Sequence, residues 1–378
     1  MLCCLPATPC YRYTTEGGRK GNHMEKKTLF TEIPVFQGGM GIGVSLGGLA
    51  GAVAACGGGG TISAAQIGFR EPDFRENPLA ANLRAIGKEI RKAKEIAKGR
   101  GAVGMNIMVA ASHYGEYVKE SIRQGIDFIV SGAGLPMDLP ALAGDAKVKL
   151  IPVVSSWKAA RVICRRWWSK HQTMPDAVLI EGPLAGGHLG FDAETADRAG
   201  GAANQAEYEE EIKKIILFLR EFGEEHGKYI PVITAGGYGS HEDLLHQQEL
   251  GADALQLATR FVVTEECDAH RRFKQAYIDC RKEDIAIIKS PVGMPGRAIR
   301  NSFIRRAQQE RISPKHCLGC LQTCKPSMTP YCITQALIEA VKGNLEQGLI
   351  FCGANAWRED RIRTVQEVIR EILEEKAF

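Results

Sequence analysis

The chain has 378 residues, of which 44% are hydrophobic and 24% charged, a composition typical of globular proteins. Its net charge of +4 is too small for a nucleic-acid-binding surface along the whole chain, so we expect no nucleic-acid partner. The longest apolar run, 44–56, is shorter than the roughly 20 residues of a membrane span, so we expect no membrane partner. Twelve cysteines are also too few for a disulfide scaffold.

The first residues differ in character from the rest of the chain. Residues 1–23 show no hydrophobic period and lack the basic, apolar and small-residue regions of a signal peptide. We interpret 1–23 as a disordered leader, 24–280 as the catalytic fold and 281–378 as an α-helical C-terminal extension that contains a cluster of cysteines. Without a signal peptide, a cytoplasmic location is expected.

From residue 33 onwards, short β-branched runs alternate with helix-length segments. The clearest helices, 79–98 and 205–225, repeat apolar residues with a helical period and place charged residues opposite them. Strands such as 148–154 are apolar on both faces, as expected of parallel strands covered by helices. Eight such units predict a TIM (β/α)8 barrel, with a doubly wound open sheet as the alternative. The predicted strands are 33–36, 60–63, 102–109, 127–130, 148–154, 177–181, 231–234 and 252–257.

Glycine clusters directly follow three of these strands. They begin at Gly38, Gly182 and Gly236, after the first, sixth and seventh strands. The C-terminal ends of barrel strands form the active face, and phosphate commonly binds after strands seven and eight. Glycine lets backbone N–H groups approach anionic oxygens, and the hydroxyl and N–H of Thr259 can complete a phosphate cradle. The clusters favour a phosphate-bearing cofactor, although each is also explained by a tight turn.

Five motifs, which cover about 33–264, resemble in the same order the nitronate monooxygenase family and the related FMN-dependent enoyl-acyl-carrier-protein (ACP) reductases. They are IPVFQGGMGIGVS, GMNIM, EGPLAGGHLGF, VITAGGYGS and LQLATRFVVTEE. The resemblance implies a barrel that binds FMN non-covalently, with the flavin ring beside Gly38, Gly39, Met40 and Asn106. It implies that the phosphate lies beside Gly187, Gly236, Gly237, Ala258 and Thr259. The same motifs and strand ends contain the other expected cofactor residues, Glu181, Gly186, Ala235 and Gln256.

The resemblance also places His188 in the active site, facing the flavin. The residues alone give a thinner argument: glycines around His188 indicate a loop, and an imidazole can move a proton near neutral pH. A structural loop histidine is the alternative, and His113 is a rival candidate. Ser155, Ser156 and Lys158 follow the fifth strand and either line the pocket or, for the serines, cap a helix.

Four cysteines lie within 16 residues of the extension: Cys317, Cys320, Cys324 and Cys332. Tight thiolate spacing with a nearby proline favours a [4Fe–4S] cluster. Zinc and reduced structural cysteines are the alternatives. The first spacings also resemble the cluster motif of the 2,4-dienoyl-CoA reductase family.

Two other parts of the extension carry distinctive charge patterns. The basic segment 281–316 either receives an anionic substrate, such as CoA or a carrier-protein phosphopantetheine, or is a solvated surface. The segment 358–375 is predicted to be an amphipathic helix that packs on the barrel.

Together these features predict an FMN-dependent oxidoreductase that oxidises small alkyl nitronates with O2, with His188 handling the proton. The alternative is an enoyl-ACP or enoyl-CoA reductase that takes electrons from NAD(P)H or through the iron–sulfur cluster. A flavin- and cluster-containing redox sensor is a third, non-enzymatic interpretation. Whether the chain forms a homodimer stays open at this stage.

Overall fold

The computed structural model describes residues 29–314 and 316–374, so the predicted leader 1–23 lies outside the described residues. Eight parallel strands form a closed barrel, which confirms the TIM barrel over the open sheet. Pairing of β1 with β9, with Val35 opposite Leu255, closes the barrel. Each predicted strand overlaps a barrel strand to within two residues at either end. The barrel strands are β1 (Val35–Gln37), β2 (Gly59–Ser63), β3 (Ala102–Met108), β4 (Phe128–Gly132), β5 (Lys149–Val154), β6 (Val178–Glu181), β8 (Val232–Ala235) and β9 (Ala254–Leu257).

Helices follow the strands and cover the outside of the barrel. Strands such as β4 are buried along their whole length, because the helices exclude water from one face and the barrel interior from the other. Two 3-10 helices, Lys282–Asp284 and Ala356–Arg358, lie in the extension. The described α-helices are α1 (Gly47–Ala55), α2 (Pro78–Ala97), α3 (Tyr114–Arg123), α4 (Leu139–Ala143), α5 (Trp157–His171), α6 (Ala193–Arg198), α7 (Ala202–His226), α8 (His241–Glu249), α9 (Thr259–Val262), α10 (Arg271–Ile278), α11 (Ser302–Gln309), α12 (Ile333–Val341) and α13 (Val365–Leu373).

Aromatic side chains fill the barrel interior near the amino ends of its strands. The rings of Phe30, Phe36 and Phe128 pack against one another with centroids 5.4–5.8 Å apart. Phe128 is the first residue of β4, so this cluster fills the amino end of the barrel. The carboxyl end is therefore the end available for a ligand, as is general for this fold.

The extension was expected to be helical, and α11, α12 and α13 agree with that expectation. It also contains an antiparallel hairpin, β10 (Ile285–Lys289) and β11 (Pro295–Ile299), which the sequence analysis did not anticipate. Strand β11 pairs in turn with the two-residue strand β7 (Gly187–His188), which belongs to the loop after β6. The hairpin is thus attached to the loop that carries the predicted active-site histidine.

The last helix is shorter than predicted but packs as expected. Instead of 358–375, α13 begins at Val365, because Thr364 and Glu367 form a capping box that fixes its start. Its apolar face, including Val368 and Ile372, is buried beside α1, α8 and α9. Within the described part of the chain, no helix is long and apolar enough to cross a membrane.

Candidate active site

A cavity of about 410 Å³ opens at the carboxyl end of the barrel, a size typical of small-ligand sites. His113 and the Ser155–Lys158 region do not line it, and Ser156 instead caps α5 through the N–H of Ala159. The structure brings all fourteen predicted cofactor and catalytic residues to its wall: Gly38, Gly39, Met40, Asn106, Glu181, Gly186, Gly187, His188, Ala235, Gly236, Gly237, Gln256, Ala258 and Thr259.

Two features of the wall fit a bound cofactor, whereas Gly236 is required by close packing of the strand ends. Gly236 has a φ of +111°, which disfavours any other residue, and a Cβ there would lie 2.8 Å from the backbone of Gly182. Gly187 also has a positive φ, and no atom lies within 4 Å of the place where its Cβ would stand. The side-chain oxygen Oε1 of Gln256 is buried and lacks a hydrogen-bond partner among the described residues. The cavity thus offers bare backbone and an unsatisfied acceptor, both of which a polar ligand can use.

The C-terminal extension completes the cavity wall. Phe351, Cys352 and Gly353 line it, and Asn355 donates a 2.7 Å hydrogen bond from Nδ2 to the carbonyl of Gly237. None of these extension residues was among the predicted cofactor residues. Residues of the barrel and of the extension therefore line one cavity, so the predicted boundary at residue 280 does not separate a complete site from an accessory part.

His188 is held at the cavity wall by the hairpin. Its backbone pairs with Gly296 of β11, and its Nε2 lies 2.8 Å from the hydroxyl of the buried Ser290. The ring also packs edge-on against Phe351, with centroids 4.9 Å apart. Burial lowers the pKa of His188 to about 4, so the imidazole is neutral at pH 7. His188 was expected to titrate near neutral pH, but its desolvation moves the titration to lower pH.

Glu181 is the last residue of β6 and lines the cavity. Burial raises its pKa to about 7, because the carboxylate loses hydration that the surrounding groups do not replace. The hydroxyl of Tyr208 bonds to the backbone carbonyl of Glu181 and does not bond to its side chain. Near neutral pH, Glu181 is therefore protonated far more often than an ordinary exposed carboxyl group.

A buried arginine supports the loop around His188. Arg297 is 4% exposed and donates from Nη1 to the carbonyls of Pro183 (2.8 Å) and Ala185 (2.5 Å). Its Nη2 donates to the carbonyl of Ala196 at 2.7 Å. One guanidinium thus fastens both ends of the β6–α6 loop. Arg297 also shows that the basic segment 281–316 is not wholly a solvated surface.

Charged residues from the extension surround the outer part of the cavity. The buried Glu359 lies 3.5 Å from both Arg260, in α9, and Arg363. Arg260 also pairs with Glu371 of α13, and burial raises the pKa of Glu359. This network joins the last helix to the strand end at which Thr259 lies.

The structure gives no support to the predicted metal centre at Cys317, Cys320, Cys324 and Cys332. In residues 29–314 and 316–374, no group of three His, Cys, Asp or Glu side chains is placed to hold a metal ion. Cys317 is exposed, whereas Cys320 is half-buried beside Leu321, which forms a β-bridge with Ala111. The thiols are near enough to affect the pKa of Cys320, but they do not converge as ligands.

The fold and the site define a TIM-barrel protein with a small-ligand cavity at the carboxyl ends of its strands. The chain matches the nitronate monooxygenase family over residues 22–375 and therefore belongs to that family. Members of this family are FMN-dependent oxidoreductases, and so is this chain. The resemblance inferred from the five motifs is confirmed.

Individual relatives differ in what their names describe. A Mycobacterium tuberculosis (3aS,4S,5R,7aS)-5-hydroxy-7a-methyl-1-oxo-octahydro-1H-indene-4-carboxyl-CoA dehydrogenase is 26% identical, with 75% of this chain and 69% of that protein covered. A probable nitronate monooxygenase of Staphylococcus saprophyticus is 27% identical, but the match covers 35% of this chain and about one third (34%) of that protein. The solved structure of FabK from Thermotoga maritima, an enoyl reductase, has a TM-score of 0.68 and 26% identity, with 91% and 93% of the two chains covered.

Proposed function

We propose that this chain is a nitronate monooxygenase that oxidises small alkyl nitronates with O2. The observation that carries the proposal is the position of His188, a neutral imidazole held at the wall of the cavity that the thirteen predicted cofactor residues line. We assign FMN binding to those thirteen residues and substrate contact to His188. Bound FMN supplies the two-electron redox chemistry.

The neutral state of His188 favours a particular role. Ser290 bonds to Nε2, and Nδ1 has no hydrogen-bond partner in the described part of the chain. With a pKa near 4 the ring is a weak base, so its main contribution is a hydrogen bond to a nitronate oxygen. The reaction balances when two nitronates and one O2 give two carbonyl compounds and two nitrite ions, with no net proton released.

The test uses the FMN-loaded enzyme with ethyl nitronate in air, followed by nitrite release and O2 uptake. His188→Ala should retain FMN and lower kcat/KM by about 100-fold, because the substrate loses its positioning partner. His113→Ala is the matched control, since His113 lies outside the cavity, and it should behave as wild type. An unchanged kcat/KM in His188→Ala contradicts the assigned role.

A second candidate is an FMN-dependent enoyl-ACP or enoyl-CoA reductase. It is favoured by the similarity to FabK over nearly the whole chain and by the CoA-linked name of the M. tuberculosis relative. This reaction consumes one NAD(P)H and one proton for each carbon–carbon double bond reduced. Crotonyl thioester with NADH or NADPH under anaerobic conditions tests it, and turnover there without nitrite formation in air favours the reductase. Neither candidate reaction includes an iron–sulfur cluster.

A further inference from the structure

A second cavity of about 40 Å³ adjoins the cofactor cavity beside His188. The two cavities are direct neighbours, because five residues line both of them. The shared residues are Ile42, Ala65, Met108, His188 and Leu337. We call the smaller space the side cavity.

The outer wall of the side cavity comes from the cysteine-bearing part of the extension. Leu321 reaches it from the segment that bridges to Ala111, and Ile333 and Thr334 reach it from the first turn of α12. Leu321, Ile333 and Thr334 are all buried. The segment that the cysteine spacing singled out therefore shapes a space next to the predicted catalytic histidine.

Two polar side chains in the wall of the side cavity, those of Gln66 and Tyr117, are held in place by a third, Asn82. The amide nitrogen Nδ2 of the buried Asn82 donates to Oε1 of Gln66 (3.2 Å) and to the hydroxyl of Tyr117 (2.8 Å). The amide oxygen of Asn82 accepts the N–H of Gly68 at 2.8 Å. Burial raises the pKa of Tyr117 to about 12, so no charge develops there at neutral pH. The side cavity thus offers mainly apolar contact, and the polar side chains in its wall are already hydrogen-bonded to Asn82.

We propose that the side cavity receives the unbranched alkyl chain of the substrate, with the reacting carbon beside His188. This inference rests on the proposed function and names the substrate class of that site. A cavity volume of about 10–15 Å³ holds one group the size of a water molecule, and a methylene group is of similar size. The 40 Å³ of the side cavity therefore hold about three carbon atoms beyond the reacting carbon. A longer chain exceeds this volume, and a shorter one leaves apolar wall uncovered.

The experiment measures kcat/KM of the FMN-loaded enzyme with the nitronates of nitroethane, 1-nitropropane, 1-nitrobutane and 1-nitrohexane. The wild type should prefer the propyl and butyl compounds. Thr334→Leu adds volume inside the side cavity and should lower kcat/KM for the butyl compound at least about tenfold relative to the ethyl compound. Leu321→Ala should move the preference towards the hexyl compound. Gln335→Leu is the control, because Gln335 is the next residue of α12 and lines neither cavity.

The outcomes separate the side cavity from the proposed function. If FMN-bound Thr334→Leu keeps the wild-type order of chain lengths, the inference is overturned while the function stands. If the wild type oxidises no nitronate, the function fails, and the dissociation constants of the parent nitroalkanes are then measured from the flavin absorbance. Affinity that peaks at three or four carbons and is lost in Thr334→Leu still supports the side cavity. Affinity that ignores chain length, or no binding, overturns it.

Discussion

Replacement of Arg297 by methionine tests how the extension supports the active-site loop. Methionine keeps a long apolar side chain but removes the guanidinium group, which leaves the carbonyls of Pro183, Ala185 and Ala196 without that donor. Those carbonyls flank the loop that presents Gly187 and His188 to the cavity. Arg297→Met should therefore weaken both the fold and FMN binding.

The expected loss of stability follows from two opposing effects. Hydrogen bonds from a charged donor contribute about 1.5–3 kcal/mol each, so three of them represent roughly 5–9 kcal/mol. Arg297 is only 4% exposed, and burial lowers its pKa, so the wild-type fold carries a desolvation cost for this charge. Removing the charge removes that cost, which offsets the loss by several kcal/mol. We expect a net loss of about 2–4 kcal/mol in the free energy of unfolding. A looser loop should also raise the FMN dissociation constant about tenfold or more.

Urea denaturation of the apoprotein and quenching of FMN fluorescence measure the two effects separately. Arg300→Met is the matched control, because Arg300 follows β11, is exposed and bonds to one carbonyl, that of Glu283. It should change the unfolding free energy by less than about 0.5 kcal/mol. The reasoning is refuted if Arg297→Met matches this control in both stability and FMN affinity.

Three further predictions concern the cavity and the cysteines. Because the pKa of Glu181 in the folded protein lies near 7, above its ordinary value, ionisation of Glu181 destabilises the apoprotein as the pH rises. In urea denaturation, Glu181→Gln should therefore be up to about 3 kcal/mol more stable than wild type at pH 8.5 and equally stable at pH 4. Ser290→Ala should lower kcat severalfold with FMN still bound, because Nε2 of His188 loses its hydrogen-bond partner. The acid limb of the pH–kcat/KM profile should stay near pH 4, because burial sets the pKa of His188. An acid limb near pH 6.5 would contradict burial as the cause. Cys317→Ser should leave FMN content and kcat within about twofold of wild type, whereas loss of bound iron in this variant would restore the metal hypothesis.

Local signals in the sequence were sufficient for the barrel and much of its wall. The strands combine β-branched runs with flanking glycines, and these features depend on residues close together in the chain. The glycine motifs placed Gly38 and Gly236 correctly because the carboxyl ends of parallel barrel strands meet on one face. The hairpin was missed, although the isoleucine-rich run 285–289, followed by the proline- and glycine-containing segment 290–294, is a strand-and-turn signal that could have revealed it.

Other features of the site depend on contacts between distant parts of the chain. Ser290 lies 102 residues from His188, and no spacing rule connects them. The low pKa of His188 likewise follows from burial, which is a property of the assembled cavity. The cysteine prediction depends on the assembled fold in the same way: short separations bring thiols near one another in the chain, but the tertiary structure decides whether they converge as ligands.

The central claim is that this cavity binds FMN and uses it to oxidise alkyl nitronates. Its most direct test is one air-saturated reaction of the FMN-loaded enzyme with ethyl nitronate, in which nitrite and O2 are measured in the same sample. The proposal predicts O2 uptake with two nitrite ions formed for each O2 consumed. Bound FMN without nitrite formation, together with NAD(P)H-dependent reduction of crotonyl thioester, would contradict it.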